Sequence, residues 1–437
     1  AALAGLEDAP VYQLELSLDD AWETLSGRAE IRYTNTTPDA LDTIVLRLNP
    51  NALGSRMSVS RLEVEGWAMP SALEQEDTVL RVTLNATLLP GEAVTLSADF
   101  TISLRSSALG YGRFGRYDEV LSLPDAYPVL SVYRDGAWDT DFPASQGDPL
   151  VAEAAFYLAR VTLPAGQDLI ASGRVLERSE AGGRQSVTLA AGPARDLYLA
   201  VAEGYLLQSL SLGETVLHSY APPELSREAA EGLSIAAQAL ELFSERFGAY
   251  PYRELEFVAV PVRAGGIEYP GVINLANGLY RDAGIFASVI VHEVAHQWAF
   301  NLVGSDQISE PWLDEALAQY LTLRYQEAFT PTALALGYLN YWRGLWQSAE
   351  NPNQAVGLPV AAYEGGAYSA IVYGRGLFFF RELERELGRE TMDAFLRRYF
   401  ERYAWGFADR RALEAEAEAV CGCDLTPLFD AWVGEAR

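Results

Sequence analysis

Only three histidines occur in the 437-residue chain, His218, His292 and His296, and the last two stand four apart in Val291-His292-Glu293-Val294-Ala295-His296-Gln297-Trp298. Positions i and i+4 of a helix share a face, so both imidazoles can reach one metal ion. Glu293, one position past the first imidazole, projects beside the pair, where a carboxylate could take a proton from a metal-bound water. The flanks support a helix. Ile285, Phe286, Val289, Ile290 and Val294 form an apolar stripe at helical spacing, and neither proline nor glycine falls between Phe286 and Phe300.

A third ligand is expected from the next helical segment. Pro311-Trp312-Leu313-Asp314-Glu315-Ala316-Leu317-Ala318-Gln319-Tyr320 reads as a helix opened by proline, with Glu315 nineteen residues after His296. Structural zinc is normally closed by four protein ligands, whereas two histidines and one carboxylate leave a position for water. The expectation is one zinc ion per chain, held by His292, His296 and Glu315. The plainer alternative is a pair of surface histidines beside two solvated glutamates.

Taken together, these residues resemble the aminopeptidase N type of zinc metallopeptidase, the gluzincin aminopeptidases. Gly265-Gly266-Ile267-Glu268-Tyr269-Pro270-Gly271 lies where that family has its exopeptidase signature, usually Gly-Ala-Met-Glu-Asn. Trp312-Leu313-Asp314-Glu315-Ala316 is similar to its Trp-Leu-Asn-Glu-Gly, and Tyr373-Gly374-Arg375-Gly376 to its Tyr-x-Lys-Gly, with Tyr368 five residues earlier. The motifs keep the family's order over roughly residues 225–435, and four ordered motifs are far more specific than one.

The resemblance implies a zinc-dependent aminopeptidase acting on peptides with a free N-terminus. Glu293 would be the general base and proton shuttle, and Tyr373 a hydrogen-bond donor to the oxyanion. Glu268 would pair with the substrate's α-ammonium group, with Gly265 and Gly266 letting substrate backbone approach along an edge strand spanning 266–275. Residue by residue, Tyr373 also reads as a core tyrosine, and Glu268 as a solvated glutamate after a glycine turn. A zinc endopeptidase and a non-catalytic peptide-binding relative are the competing functions.

Several positions depart from the family pattern. Tyr269 replaces asparagine and Ile267 methionine. Thr322 stands where the family often has a glutamate supporting a zinc histidine, and Arg375 replaces lysine. A hydroxyl is a weaker acceptor than a carboxylate, and arginine binds in a different geometry from lysine.

Thirty-two basic and 60 acidic side chains give a net charge of -28, which disfavours nucleic acid and anionic membrane surfaces as partners. Every basic side chain other than histidine is arginine. No apolar run approaches the length of a membrane span. Cys421-Gly422-Cys423 holds both cysteines, and a single-residue gap suits neither an ordinary disulfide nor a full zinc site. The chain begins Ala1-Ala2-Leu3 without an initiator methionine, so the expected home is open, with an extracytoplasmic or secreted one after removal of a leader among the readings.

Stepping along the chain, short alternating runs at 11–18, 26–34, 43–48, 78–84 and 93–104 read as strands, and more follow at 157–163, 169–172 and 197–201. Gly147-Asp148-Pro149 falls where the family's N-terminal domain often carries Asp-Glu-Pro. Beyond Pro222-Pro223 the period becomes helical, from 229–247, interrupted by a strand at 255–260, and helical again over 392–432. The predicted architecture is therefore multi-domain: an N-terminal all-β, saddle-like domain over 1–222 and a mainly α, thermolysin-like zinc catalytic domain over 223–437. The resemblance leads to the expectation that this chain lacks the family's usual additional C-terminal helical domain.

Overall fold

A computed structural model describes residues 5–106, 113–117, 119–141, 147 and 151–435. Asp148 and Pro149 of the Gly-Asp-Pro stretch lie outside the described residues. By packing, the chain divides into two units, one of residues 1–142, 152–230 and 252–280, the other of residues 143–151, 231–251 and 281–437. The division runs inside a helix, after Ala230, rather than at Pro222-Pro223. It also assigns the strands between 252 and 280 to the first unit, because they hydrogen-bond to Thr215–Ala221.

The first unit is built from sheets. Its largest has eight strands, in the order Arg174–Ala181, Arg184–Ala194, Ala155–Pro164, Val11–Leu18, Thr24–Thr34, Ala93–Ser103, Arg56–Val64 and Trp67–Ala68. Val11–Leu18 shows why alternation was readable: Tyr12, Leu14, Leu16 and Leu18 are buried while the residues between them face outward. Asn35 is fully buried, and its amide donates to the Asp39 and Leu88 carbonyls.

A five-stranded mixed sheet ends this unit, ordered Leu206–Leu212, Thr215–Ala221, Glu254–Val260, Val272–Ala276 and Gly266–Tyr269. The single edge strand expected over 266–275 is instead a hairpin. Tyr269 pairs with Val272 across Pro270-Gly271, and a proline followed by a glycine with φ of 69° suits the two central positions of a tight turn. Gly266–Tyr269 is the edge strand, and Val272–Ala276 lies inside the sheet, fully buried.

The second unit is helical. Helix α1 (Ser226–Phe247) enters it, followed by α2 (Phe286–Ala295), α3 (Trp312–Phe329), α4 (Thr332–Gln347), α5 (Gly376–Leu387), α6 (Arg389–Arg402), α7 (Arg410–Cys421) and α8 (Thr426–Trp432). Helix α3 is buried on every face from Trp312 to Gln326, as expected of a helix at the centre of its unit. Among the described residues no helix is long and apolar enough to cross a membrane. Cys421 and Cys423 form a disulfide, against the expectation from their spacing. The left-handed Gly422 at the end of α7 folds the chain back and brings their Cα atoms to 5.2 Å.

Candidate active site

Helix α2 delivers the histidine pair. Ile290, Val291, Val294 and Ala295 are buried, which fixes the rotation of the helix and so the face carrying His292. The helix ends at Ala295, and His296 occupies the next position with helical φ and ψ, its N–H reaching the His292 carbonyl at 3.3 Å. The i, i+4 relation therefore survives although the regular helix stops short of Phe300.

Helix α3 brings Glu315 to the pair. His292 Nε2 lies 3.1 Å from Glu315 Oε2 and 3.1 Å from His296 Nε2, and His296 Nε2 lies 3.4 Å from Glu315 Oε2. His296 Nδ1 is 3.0 Å from the Ala299 carbonyl, which can only accept. That bond places the proton on Nδ1 and turns the Nε2 lone pair toward the cluster. Donor separations near 3.1–3.4 Å match one face of a tetrahedron around an ion with bonds of about 2.1 Å, whose edges are roughly 3.4 Å. Two imidazoles and a carboxylate are zinc chemistry, so the residues present fit the ion.

The electrostatics point the same way. Burial alone would raise the Glu315 carboxyl, but hydrogen bonds with His292 and His296 outweigh it and hold the group well below the ordinary carboxylate range. Asp314 and Glu315 sit in the first turn of α3, where the helix dipole favours negative charge. Asp314, only 1 % exposed, accepts from the Glu315 N–H at 2.7 Å and from Gln307 Nε2 at 2.8 Å. It thereby pins the turn that aims Glu315.

Tyr373 joins from a π-helical turn, Ser369–Arg375, that runs directly into α5. Its hydroxyl donates to Glu315 Oε1, and its ring lies 5.8 Å from that of His292. Trp342 of α4 stacks on the Tyr373 ring at 5.9 Å and 15° between planes, while Tyr368 meets it edge-on at 5.8 Å. A Cβ at Gly376 would stand 2.5 Å from Ala316 Cβ, so glycine is what lets α5 lie against α3 beside Glu315. Glu293 is 4 % exposed and shares the α2 turn with His292.

The remaining sequence candidates fall as follows. Glu268, 7 % exposed, lies on the edge strand Gly266–Tyr269 of the first unit, opposite Ile273 in the hairpin register. Gly266 opens that strand, and the Gly265 carbonyl accepts from Ala276 N at 3.0 Å. Tyr269 stacks on Tyr198 at 4.2 Å. Thr322 donates its hydroxyl to the Ala318 carbonyl of its own helix at 2.8 Å. Arg375 donates to the Ala431 and Trp432 carbonyls at the end of α8 and to the Gln354 carbonyl, a set of bonds that a lysine could not reproduce with the same planar fork.

Sequence reading missed Ala299, Asp314 and Trp342. The Ala299 contribution is a carbonyl, which no side-chain motif marks. Asp314 sits inside a quoted motif, so its place next to Glu315 was the available signal.

Residues 231–432 match the model of the peptidase family M1 domain. Over that stretch the chain is similar to the M1 peptidases. Aminopeptidase M1-B of Oryza sativa subsp. japonica is 26 % identical over 457 residues, covering 96 % of this chain and 49 % of that protein. Aminopeptidase N of Streptomyces lividans is 25 % identical over 252 residues, covering 52 % of this chain and 28 % of its own length. The chain thus spans about half the length of the rice relative it matches. A crystal structure of a mutant M1 zinc metallopeptidase from Deinococcus radiodurans shares the fold, with a TM-score of 0.75 at 22 % identity over 98 % of this chain and 94 % of that one. The same enzyme bound to a Tyr-Ser-Ala substrate superposes with a TM-score of 0.73 at 20 % identity, covering 98 % of this chain and 95 % of that one. The matched stretch contains all three members of the His292, His296 and Glu315 triangle, together with Glu293 and Tyr373.

Proposed function

We propose that the chain is a zinc-dependent aminopeptidase that hydrolyses the first peptide bond of peptides with a free N-terminus. The observation that carries this reading is the convergence of His292 Nε2, His296 Nε2 and Glu315 Oε2 within 3.1–3.4 Å of one another. Zinc held by that triangle would supply a Lewis acid and a more acidic water molecule.

The other residues have separable tasks. Glu293 accepts a proton from the attacking water at a carboxylate oxygen and returns it to the departing amine nitrogen. Its burial keeps bulk water from competing for that proton. Tyr373, whose hydroxyl donates to Glu315 Oε1, has a proton to redirect toward the carbonyl oxygen as negative charge develops there. Glu268 pairs with the α-ammonium group, a role that rests on its place in the Gly-Gly-Ile-Glu stretch, and Gly265 and Gly266 keep that stretch free of side chains. Peptide substrates accord with the tripeptide bound by the Deinococcus enzyme.

The decisive experiment pairs Glu293→Gln with Glu268→Ala on aminoacyl chromogenic amides and their acetylated counterparts. Glu293→Gln is expected to keep stoichiometric zinc and lose on the order of 10³-fold in turnover. Glu268→Ala is expected to impair free-amine substrates far more than acetylated ones. Near-normal turnover in the first variant overturns the base assignment, and equal loss on both substrate types turns the reading toward an endopeptidase.

A further inference from the structure

A second group of titratable side chains lies in the first unit, around the third histidine. His218 on Thr215–Ala221 pairs in parallel register with Glu256 on Glu254–Val260, and Glu254 lies two residues from Glu256 on the same face of the sheet. These side chains line a cavity of about 180 Å³ together with the apolar Leu169, Ile170 and Leu189 and with Arg178.

Glu256 is the unusual member. It is 7 % exposed, and its Oε2 is buried without a hydrogen-bond partner. A buried carboxyl oxygen left unpaired costs free energy that a bound donor would offset. The Ser209 hydroxyl at 2.7 Å engages His218 Nδ1 and orients the ring. Tyr220, two residues further on, adds an aromatic wall.

We infer that this cavity is a binding site for a small organic cation, an ammonium group on a short apolar stem, with Glu256 and Glu254 as its counter-charges. The shape selects this class over a metal ion. Among the described residues only two groups bring three ligand atoms within 4.8 Å of one another, and His218 belongs to neither. A lining that combines carboxylates with hydrocarbon suits a charged head and an apolar tail. An ammonium offers up to three donors to the carboxylates, and the Tyr220 ring can accept its positive face. The chain's net charge of -28 raises the local concentration of cations.

The groups facing Glu256 set the pH dependence. Arg178 lines the same cavity and interacts electrostatically with Asp168, His218 and Tyr220 come from the neighbouring strand, and Glu254 from its own. The other neighbour, Val272–Ala276, carries no titratable side chain. Burial, and next the charge of Glu254, push the Glu256 carboxyl up to about 8. Burial holds His218 low, so it is neutral across that range. At pH 7 the cation therefore displaces a proton from Glu256 into solvent, and at pH 9 it meets a carboxylate already formed.

The test is isothermal titration calorimetry of the whole chain with n-butylammonium chloride, and with n-butanol as the uncharged control. A single site is expected whose affinity rises about tenfold between pH 7 and pH 9, following the ionised fraction of a group titrating near 8. Glu256→Gln is expected to bind at least tenfold more weakly while retaining peptide hydrolysis. Glu254→Gln, at the less buried edge, serves if the first variant fails to fold. The control alcohol should produce no saturable heat. Equal affinity in the variants, affinity flat between pH 7 and pH 9, or no binding at all overturns the site, and none of these outcomes depends on the zinc centre.

Discussion

Tyr373 donates its hydroxyl proton to Glu315 Oε1 while the other oxygen of the same carboxylate faces both imidazole Nε2 atoms, so the tyrosine shares a single group with the metal triangle. The tyrosine is thus tied to the site through Glu315. Tyr373→Phe should leave zinc content near one per chain and lower kcat by roughly two orders of magnitude, the loss of about 3 kcal/mol for one oxyanion donor. KM should change little. Steady-state kinetics with parallel metal analysis decide it, and a large fall in zinc content would move Tyr373 from the reaction to the metal site.

Zinc removal should destabilise the fold, because a ligand bound only by the native state adds stability by mass action. Chelation is expected to lower the melting temperature of the wild-type protein and to leave Glu315→Ala nearly unaffected, since that variant keeps only two donors. Calorimetry with and without chelator reads both. An identical drop in the two proteins would place the stabilising metal elsewhere.

Glu256 makes a separate pH prediction. Its carboxyl titrates near 4.5 unfolded and near 8 folded, so below 4.5 both states hold the proton and the contribution is complete. Between those values only the folded state keeps it, and stability falls by about 1.4 kcal/mol per pH unit until the folded group ionises. Glu256→Gln removes this slope. Urea unfolding at pH 5, 6.5 and 8 should therefore show the variant gaining on wild type as pH rises, and parallel curves would contradict the burial argument.

What the sequence disclosed, and what it withheld, follows from the range of each signal. The His292, Glu293 and His296 set is encoded within one helical turn, and Glu315 in a neighbouring helix with its own motif, so local periodicity sufficed. Strands such as Val11–Leu18 alternate cleanly because only one face is buried. Arg174–Ala181 is exposed along its whole length, so no alternation marked it as a strand. The hairpin at Pro270-Gly271 was hidden by the opposite effect, since Val272–Ala276 is buried on both faces and reads as a continuation of the preceding run. The Trp342 stack on Tyr373 depends on tertiary packing between segments thirty-one residues apart, and no local pattern reports it.

Gly376 should prove sensitive to volume. A Cβ there would meet Ala316 Cβ at 2.5 Å, next to Glu315. Gly376→Val is expected to cost at least the roughly 1–3 kcal/mol of ordinary overpacking and to weaken zinc binding by shifting the first turn of α3. Gly388→Val, at a site where a Cβ meets nothing within 4 Å but φ is 78°, gives the backbone-strain comparison: stability falls without loss of zinc affinity. Equal zinc affinities in the two variants would refute the packing link.

In the proposed reaction Trp342 would act through Tyr373, whose ring it covers in a nearly parallel stack. A phenol free to rotate would spend less time aimed at the carbonyl oxygen, and a misplacement of about 1 Å can cost on the order of 10²-fold in rate. Trp342→Leu should accordingly reduce kcat while zinc content and KM stay close to wild type, and Trp342→Phe, which keeps a ring to stack, should recover most of the loss. In the Tyr373→Phe background the same Trp342→Leu change should have little further effect, because the hydroxyl it positions is gone. Additive losses in the double variant would show instead that Trp342 supports the site by packing alone.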